Sequence, residues 1–466
     1  MVKQSLLKLC FPLVMLVFIT QGFTKTSPDL DPTVIRELKG SLKMDATNRA
    51  LMNAITNNSV KSLALNREMV NQYNDVFNVK TDAKGITDQK STGRCWMFAG
   101  LNIMRPAAMK KFNLESFEFS QSYLFFWDKL EKSNLVLEAV IQNRNTPIDD
   151  RELQTLLKDP VADGGWWNYV VDLIEKYGVV PKDIMPETVN SSKSAMMDKA
   201  LGTVVREDAA NLRNMAAQGK SVSELRERKV EMLKDVYRLL VMHLGTPPEQ
   251  FTWRYQDKDG HIVENTYTPQ QFYKDAVGFD LNQYVTILDY PVHPYNDHYQ
   301  IDYCRNMTDK PDMDFINIDI NQIKEYTLKS LEDKEPVWFA ADAGWQMERD
   351  HGIMEDGIYD YQSLYGVKDN LTKAERMEYQ ISIPNHAMVF VAADTVQGKP
   401  VKWKVENSWG ADTGEKGYYT MYNNWFDKYV YTVIINKKYL PDNVLAILKK
   451  TPKKLPIWDP MREAFK

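Results

Sequence analysis

Three residues of this chain have the side chains and the local contexts for nucleophilic catalysis: Cys95, His386 and Asn407. Cys95 follows the polar residues 91–93 and precedes apolar residues with helical spacing, so we expect it to begin a helix. Unpaired N–H groups and the positive end of the helix dipole favour a thiolate at such a position. The sequence therefore predicts a reactive cysteine with a lowered pKa.

His386 and Asn407 lie late in the chain, each beside a predicted strand. His386 opens a buried, β-branched and apolar run, and Asn407 follows residues 403–406 just before a Gly turn. If the two strands are adjacent, the Asn407 carbonyl can accept the imidazole N–H and fix one tautomer of His386. The amide of Gln89, six residues before Cys95, is then the candidate oxyanion donor together with the Cys95 backbone N–H.

The alternative interpretation is that Cys95 has only a structural role. A buried free cysteine among aromatic residues is commonly an inert part of the core. The presence of Gln89, His386 and Asn407 in matching local contexts favours the catalytic interpretation.

These residues carry a family resemblance. Segments 89–99, 385–391 and 405–410 resemble the active-site blocks of papain-like cysteine peptidases. Within that group, further segments resemble the bleomycin hydrolase and aminopeptidase C family from about residue 65 to the C-terminus; they are residues 120–129, 163–166, 175–182 and 458–461. The resemblance implies an α+β, papain-like two-lobed cysteine peptidase fold with large helical and β-hairpin insertions.

The same resemblance implies which residues bind substrate. Gly164 and Gly165 correspond to the rim that holds the non-prime side of a peptide, and Asn385 is assigned to substrate binding beside His386. A turn that requires positive φ is the alternative interpretation of the glycine pair. A C-terminal arm, about residues 449–466, is expected to enter the cleft and to present the carboxylate of Lys466 to the free amine of a peptide.

The chain departs from the family pattern in several places. Thr92 stands where papain has a cysteine, so that disulfide is absent. Trp166 replaces an expected Gln, and the tail reads Arg-Glu-Ala-Phe-Lys where Gly-Ala-Leu-Ala is usual. These changes bear on how the arm fits the cleft.

The first 22 residues are typical of a secretory signal peptide: Lys3 and Lys8 precede the apolar run 9–19, and Gly22 ends a small-residue cleavage pattern. The run is shorter than the roughly 20 residues of a membrane-spanning helix. We therefore predict export, periplasmic or secreted, with a cytoplasmic location as the alternative that the resembled family favours. Residues 23–466 are predicted to be the peptidase domain.

A large insertion is expected at about residues 190–300. His386 follows Cys95 by 291 residues, against roughly 130 to 150 in the minimal papain fold. The insertion contains a capping-box pattern at Ser221 and Glu224, and a hairpin pattern that turns at Asp259 and Gly260. In the resembled family such insertions act as hooks that join six subunits, which implies a homohexamer.

Composition excludes several other functions. With 44% hydrophobic residues and a net charge of −5, the chain is an ordinary globular protein without a chain-wide nucleic-acid footprint, so nucleic-acid binding is not favoured. The cysteines, Cys10, Cys95 and Cys304, form no disulfide framework. His293 and His298 fit no zinc spacing, and we expect neither a metal nor another cofactor.

The sequence thus predicts a cysteine aminopeptidase that cleaves amide bonds at the free N-terminus of peptides through a Cys-His-Asn triad and an acyl-enzyme. Two alternatives are a non-catalytic ring that binds peptide or nucleic acid, and a papain-like endopeptidase. A lesion in the four catalytic positions would favour the first alternative, and the sequence contains none.

Overall fold

The structure is a computed structural model that describes residues 28–276 and 278–465. The predicted signal peptide, its cleavage site and Lys466 lie outside the described residues. The chain divides into two compact units, residues 1–63 and 64–466. Within the described residues, no helix is both long enough and apolar enough to cross a membrane.

The described part of the first unit, residues 28–63, is helical. Asp31 accepts hydrogen bonds from the backbone N–H groups of Thr33 and Val34, and Asp45 caps the next helix through Asn48. These caps satisfy N–H groups that have no partner within a helix, which explains why the helices start where they do. The helices that begin in this unit are α1 (Pro32–Ser41), α2 (Ala46–Asn57) and α3 (Val60–Ala64).

The second unit contains the remaining elements. Its α-helices are α4 (Arg67–Gln72), α5 (Cys95–Lys111), α6 (Gln121–Gln142), α7 (Arg151–Lys158), α8 (Trp167–Tyr177), α9 (Val189–Ser192), α10 (Ala195–Ala217), α11 (Val222–Leu244), α12 (Pro269–Ala276), α13 (Ile320–Glu332), α14 (Tyr361–Tyr365), α15 (Lys373–Glu378), α16 (Asn423–Tyr429), α17 (Asp442–Leu445) and α18 (Pro460–Glu463). Short 3₁₀ helices are formed by Leu281–Gln283, Lys437–Tyr439 and Ala446–Lys449.

The strands are β1 (Val79–Lys80), β2 (Phe251–Gln256), β3 (Ile262–Tyr267), β4 (Tyr284–Leu288), β5 (Asp297–Ile301), β6 (Asp314–Asn317), β7 (Val337–Ala341), β8 (Met347–Glu348), β9 (Ile353–Met354), β10 (His386–Val396), β11 (Lys399–Glu406), β12 (Tyr418–Tyr422), β13 (Val430–Asn436) and β14 (Lys453–Leu455). One mixed sheet has the order β14-β5-β6-β4-β13-β7-β10-β11-β12-β9-β8, and β1 also pairs with β10. The β2–β3 hairpin stands apart from this sheet.

Strand β10 lies inside the sheet, between β7 and β11, and is antiparallel to both. Its side chains alternate between two hydrophobic cores: Ala387 and Val389 belong to the core that contains α5, whereas Met388 and Phe390 belong to the opposite core. Burial on both faces explains why this strand appears in the sequence as a continuous apolar run. The predicted strand and its neighbour are confirmed.

Helix α5 begins at Cys95, as the sequence predicts, and most of it is buried. It continues through Pro106 to Lys111, although a proline removes one backbone hydrogen bond. Side chains on both sides of Pro106, including Met104 and Ala108, are closed to water, so packing stabilises the helix across the proline.

The predicted insertion, at about residues 190–300, includes α10, α11 and the β2–β3 hairpin. Both hydrogen bonds of the predicted Ser221–Glu224 capping box are present at the start of α11. The hairpin turns at Gly260, whose φ of +89° suits glycine. Helices α10 and α11 bury one apolar side each; the buried residues of α11 are Leu225, Met232, Val236, Leu240 and Leu244.

Candidate active site

The first turn of α5 aims backbone N–H groups at the Cys95 sulfur. The backbone N–H groups of Cys95 and Trp96, and that of Ala387 at the start of β10, lie near the thiol and favour its thiolate form. The sulfur therefore lies against the strand residue that follows His386. Residues 291 positions apart in sequence are brought together by the packing of α5 on the sheet.

Burial controls the protonation of Cys95. Its side chain is closed to water, and this desolvation raises the pKa of the thiol to about 12, against the effect of the three backbone N–H groups. The expectation of a lowered pKa from the helix N-terminus alone is not met. A partner that accepts the proton is therefore needed for Cys95 to act as a nucleophile.

His386 and Asn407 form a direct hydrogen bond. The His386 Nε2 to Asn407 Oδ1 distance is 2.7 Å, and the same amide oxygen accepts the N–H of Ser408 at 2.8 Å. Because that oxygen is an acceptor, the neutral imidazole carries its proton on Nε2 and leaves Nδ1 as the basic nitrogen. Burial lowers the pKa of His386 to about 4, although its bond to Asn407 acts in the opposite direction.

Trp409 and Arg349 cover the histidine. The indole stacks on the His386 ring, with centroids 4.6 Å apart, and the Arg349 guanidinium lies 4.2 Å from the Trp409 ring centroid. This cover keeps water from the His386–Asn407 hydrogen bond. The positive charge of Arg349 adds to the lowering of the His386 pKa.

Gln89 lies beside the same loop. Its Nε2 donates to the Thr92 carbonyl at 2.7 Å, and its Oε1 accepts from the Ser408 hydroxyl at 2.6 Å. An amide NH2 has two donors, so Thr92 uses one of them and the other is left for an oxyanion. Ser408 and Thr92 thus determine which way the amide faces.

Arg94, next to Cys95, uses its guanidinium for contacts with Glu187 and Ser191. Its guanidinium forms a double hydrogen bond with Glu187 at 3.0 and 2.8 Å and also donates to the Ser191 carbonyl at 2.5 Å. The paired carboxylate neutralises its charge. Arg94 therefore anchors the loop before Cys95 to residues 187–191.

The Asp163–Gly165 rim is supported by buried lysines of α6. Lys129 lies between Asp163 and Asp198, with Nζ 2.7 Å from an oxygen of each carboxylate. The Asp163 carboxylate also accepts from the Gly93 N–H at 2.9 Å and from the Ser194 hydroxyl at 2.5 Å. One carboxylate thus joins the cysteine loop, the rim and the start of α10.

Close contacts, rather than backbone conformation, explain the glycine pair. Neither Gly164 nor Gly165 has a positive φ, so the alternative interpretation as a positive-φ turn does not hold. A Cβ on Gly165 would lie 2.6 Å from the Trp96 ring, and one on Gly164 would lie 2.1 Å from the Phe465 carbonyl oxygen. The rim therefore needs glycine to let Trp96 and the C-terminal segment approach.

The C-terminal segment lies along this rim. The Trp166 indole N–H donates to the Met461 carbonyl at 3.1 Å, and the Trp166 and Phe465 rings meet edge to face with centroids 4.9 Å apart. Met461, Ala464 and Phe465 are buried. The two departures from the family pattern, at residue 166 and in the tail, are thus in contact with each other.

Asn385 is exposed at the edge of a cavity of about 630 Å³. Its amide donates to Asp342 at 2.6 Å and accepts from the Ala343 N–H at 2.9 Å. The wall includes Asp342, Gly344, Trp345, Ser382, Pro460 and Glu463. This cavity begins one residue from His386 and is bordered by the C-terminal segment, which suits a substrate subsite.

The remaining histidines and cysteine have structural contacts. His298 bonds the Lys450 carbonyl at 2.8 Å and Asp314 at 2.9 Å. Cys304 is buried and not disulfide-bonded, like Cys95. Among the described residues, the group that could hold a metal is Asp257, Asp259 and His261 at the exposed hairpin turn.

Sequence reasoning did not identify the lysines that support the rim. Lys132 donates to the carbonyls of Ala162 and Gly164 at 2.7 Å each, and pairs with Asp128. The sequence pattern could have indicated these contacts, because Asp128, Lys129 and Lys132 lie among apolar residues in the middle of α6. Charged residues in a buried helix usually have specific partners.

The chain is similar to known proteins along most of its length. Residues 29–462 match the model of the Peptidase C1-like family. The chain is 37% identical over 441 residues to aminopeptidase C of Lactobacillus delbrueckii subsp. lactis, covering 93% of this chain and 98% of that protein. It is 40% identical over 422 residues to bleomycin hydrolase of Mus musculus, covering 88% and 93%.

A solved structure is similar throughout. The crystal structure of PepW from Lactobacillus rhamnosis HN001 (DR20) superposes with a TM-score of 0.91 at 39% sequence identity. The match covers 93% of this chain and 99% of that one.

Proposed function

The chain belongs to the Peptidase C1-like family and is a cysteine-type aminopeptidase, and we propose that it works through Cys95, His386 and Asn407. The family resemblance found in the sequence and the α+β papain-like fold are both confirmed. The substrates proposed here are peptides with a free N-terminus.

The observation that carries the triad is the placement of one imidazole. His386 is bonded to Asn407 at 2.7 Å through Nε2, and the backbone N–H of the next residue, Ala387, lies close enough to the Cys95 sulfur to favour its thiolate form. Nδ1 is therefore the nitrogen available to exchange a proton with the thiol. Neither a structural cysteine nor a structural histidine requires this combination.

In the proposed first step, the Cys95 proton moves to His386 Nδ1 while the sulfur forms a bond to the amide carbonyl carbon. Negative charge develops on the carbonyl oxygen, which the Cys95 N–H and the second Gln89 donor stabilise. The carbon–nitrogen bond then breaks, and the leaving amine takes the proton from Nδ1. The product of this step is an acyl-enzyme on Cys95.

In the second step, water gives a proton to His386 Nδ1 as its oxygen bonds to the acyl carbon. The carbon–sulfur bond breaks, the sulfur recovers the proton, and a carboxylic acid leaves. Asn407 keeps Nε2 protonated throughout, so the same nitrogen serves as base and as acid.

The C-terminal arm supports the preference for free N-termini. Residues 461–465 lie along the rim that a longer peptide would need on its non-prime side, with the Phe465 carbonyl against Gly164. We propose that the arm limits this side to the first residues of a peptide.

We also propose that the protein is a homohexamer. The α10–α11 pair and the β2–β3 hairpin are the proposed hooks between subunits. Size-exclusion chromatography with light scattering would distinguish a hexamer from a monomer.

We further propose that the protein is exported, because residues 1–22 are typical of a signal peptide. The intact mass of the exported protein should then lack those residues.

One assay tests the proposed activity. Fluorogenic peptides with free and blocked N-termini are incubated with wild-type enzyme, with alkylated enzyme and with Cys95→Ala. We expect hydrolysis of the free peptide alone, and only by the unmodified wild type. Cys304→Ala is the control, because that cysteine is equally buried but contacts Tyr169 instead of a histidine.

Different results would favour other functions. Equal rates on blocked peptides would indicate an endopeptidase, and hydrolysis by Cys95→Ala would contradict the triad. Peptide or nucleic-acid binding without turnover would support a non-catalytic ring.

A further inference from the structure

Arg105 and Glu406 form an ion pair in the interior of the protein. Their Nη2 to Oε2 distance is 2.7 Å, and the side chains are 2% and 1% exposed. Arg105 lies on α5, the helix that begins at Cys95, whereas Glu406 ends β11 and directly precedes Asn407. The pair therefore joins the element that carries the sulfur to the loop that holds the imidazole.

The same arginine holds a second segment of the site. Its Nη2 donates to the Gly85 carbonyl at 3.0 Å, and its Nη1 donates to Asn102 Oδ1 at 3.0 Å. Asn102, one turn earlier on α5, donates to the Thr87 hydroxyl at 2.9 Å. Two buried polar side chains on a mostly apolar helix thus fix the chain that leads to Gln89.

The two segments held by α5 are also bonded to each other. The Gln89 N–H donates to the Ser408 carbonyl at 2.8 Å, and the Gly410 N–H donates to the Thr87 carbonyl at 3.1 Å. Gln89, Asn407 and Cys95 therefore belong to one hydrogen-bonded framework. From the helix, Arg105 contacts both segments, one through Gly85 and the other through Glu406.

We propose that Arg105 and Glu406 are positioning residues that hold Cys95, Asn407 and Gln89 in register for catalysis without touching the substrate. The proposal rests on the function given above, in which Cys95 is the nucleophile. The pair would then contribute to the rate of catalysis and not to the stability of the fold.

A buried ion pair contributes little to the stability of a protein. The free energy needed to remove two charges from water is commonly larger than the free energy gained from their attraction, and proteins with apolar replacements of a buried pair are often as stable. A misplacement of about 1 Å, by contrast, can lower a rate by about 100-fold. Burial also raises the pKa of Glu406 to about 7 despite Arg105, so a variant without Arg105 can hold Glu406 in its neutral form.

The test replaces the pair by apolar residues of similar size, Arg105→Met/Glu406→Leu. We measure kcat and KM on a free aminoacyl fluorogenic amide, the melting temperature, and the rate at which iodoacetamide alkylates Cys95, located by peptide mass mapping. The expected result is a kcat lowered about 10- to 100-fold with KM changed less than about 3-fold. Cys95 alkylation should slow as well, while the melting temperature stays close to that of the wild type.

A control uses the same replacements in a more exposed ion pair. Arg226→Met/Glu138→Leu removes the contact of 2.6 Å between α11 and α6, outside the framework. It should keep the wild-type kcat and alkylation rate. A folded Arg105→Met/Glu406→Leu enzyme with wild-type kcat and alkylation would overturn the proposal.

Two further variants decide the matter if the double variant does not fold. Asn102→Ala removes the contacts of Asn102 with Thr87 and with Arg105 without removing a charge. Because Arg105 then loses one of the bonds that hold it, kcat should fall with little effect on KM; an unchanged kcat would contradict the proposal. Arg105→Lys should retain more activity than Arg105→Met. If the wild type itself lacks aminopeptidase activity, the proposed function fails, and the alkylation rates still test the positioning.

Discussion

Trp166 and Phe465 meet edge to face, with ring centroids 4.9 Å apart, and they join the C-terminal segment to the rim of the cleft. Both residues are nearly closed to water. Edge-to-face aromatic pairs contribute about 0.5 to 1.5 kcal/mol beyond the burial of their area. This contact holds the arm where it would limit the length of substrate.

Removal of the Phe465 ring should therefore loosen the arm. We expect Phe465→Ala to raise hydrolysis of N-blocked peptides and to lower hydrolysis of free ones, because longer chains then reach the non-prime side. The measurement is the ratio of kcat/KM for the two substrates. Tyr365→Ala, at an exposed ring, is the control and should leave the ratio unchanged; an unchanged ratio in Phe465→Ala would separate the arm from specificity.

Restoring the residue expected from the family tests the other half of the contact. Trp166→Gln removes both the ring pair and the indole bond to the Met461 carbonyl. The free energy of unfolding should fall by about 3 to 5 kcal/mol, as for a buried Trp replaced by a small residue, less any bond that Gln reforms. Chemical denaturation measures it, and protease cleavage near residue 460 should become faster if the arm detaches.

The pH dependence of catalysis follows from His386. Its pKa is lowered to about 4, so the ring is neutral and able to accept a proton at all higher pH values. The acid side of the kcat/KM profile should therefore fall near pH 4, as the ring becomes protonated, and not near the ordinary value of 6.5. Rates with a free aminoacyl fluorogenic amide, whose α-amino group stays protonated from pH 3.5 to about 7, determine that midpoint.

Replacing Arg349 by a neutral residue should raise the pKa of His386. The charge of Arg349 lowers the His386 pKa across the Trp409 ring, so Arg349→Gln should move the acid side of the profile to higher pH. Arg238→Gln, at an exposed arginine paired with Asp235, is the control and should not move it. A shift to lower pH in Arg349→Gln would contradict this account of the site.

Loss of Lys129 should destabilise the rim. Its ammonium is closed to water between Asp163 and Asp198, and without it two partly buried carboxylates repel each other. We expect Lys129→Met to lower the free energy of unfolding by about 3 to 5 kcal/mol. Lys329→Met, which removes an exposed i, i+4 pair with Glu325, should cost less than about 0.5 kcal/mol in the same denaturation experiment.

Local structure around the site could be predicted because it depends on short-range patterns. Apolar spacing after Cys95 predicted the start of α5, the apolar run after His386 predicted β10, and the Ser221–Glu224 pattern predicted the cap of α11. Each of these depends on residues within a few positions of one another. The family resemblance added the papain-like fold, which is confirmed.

Protonation at the site could not be predicted in this way. The position of Cys95 at a helix N-terminus predicted a lowered pKa, but desolvation by the surrounding core has the larger effect and raises it. Burial is a property of the packed molecule. Its magnitude depends on residues from α5 and β10 that are far apart in sequence.

The sequence by itself determined the candidate residues for chemistry and the elements that hold them, since residue type and local periodicity are sufficient for that. Tertiary structure alone decided contacts between distant segments that the sequence did not predict: Lys129 between two carboxylates, Arg105 with Glu406, and Trp166 with Phe465. Such pairs form because the packing of helices on the central sheet brings particular side chains together, and no short-range pattern records that arrangement.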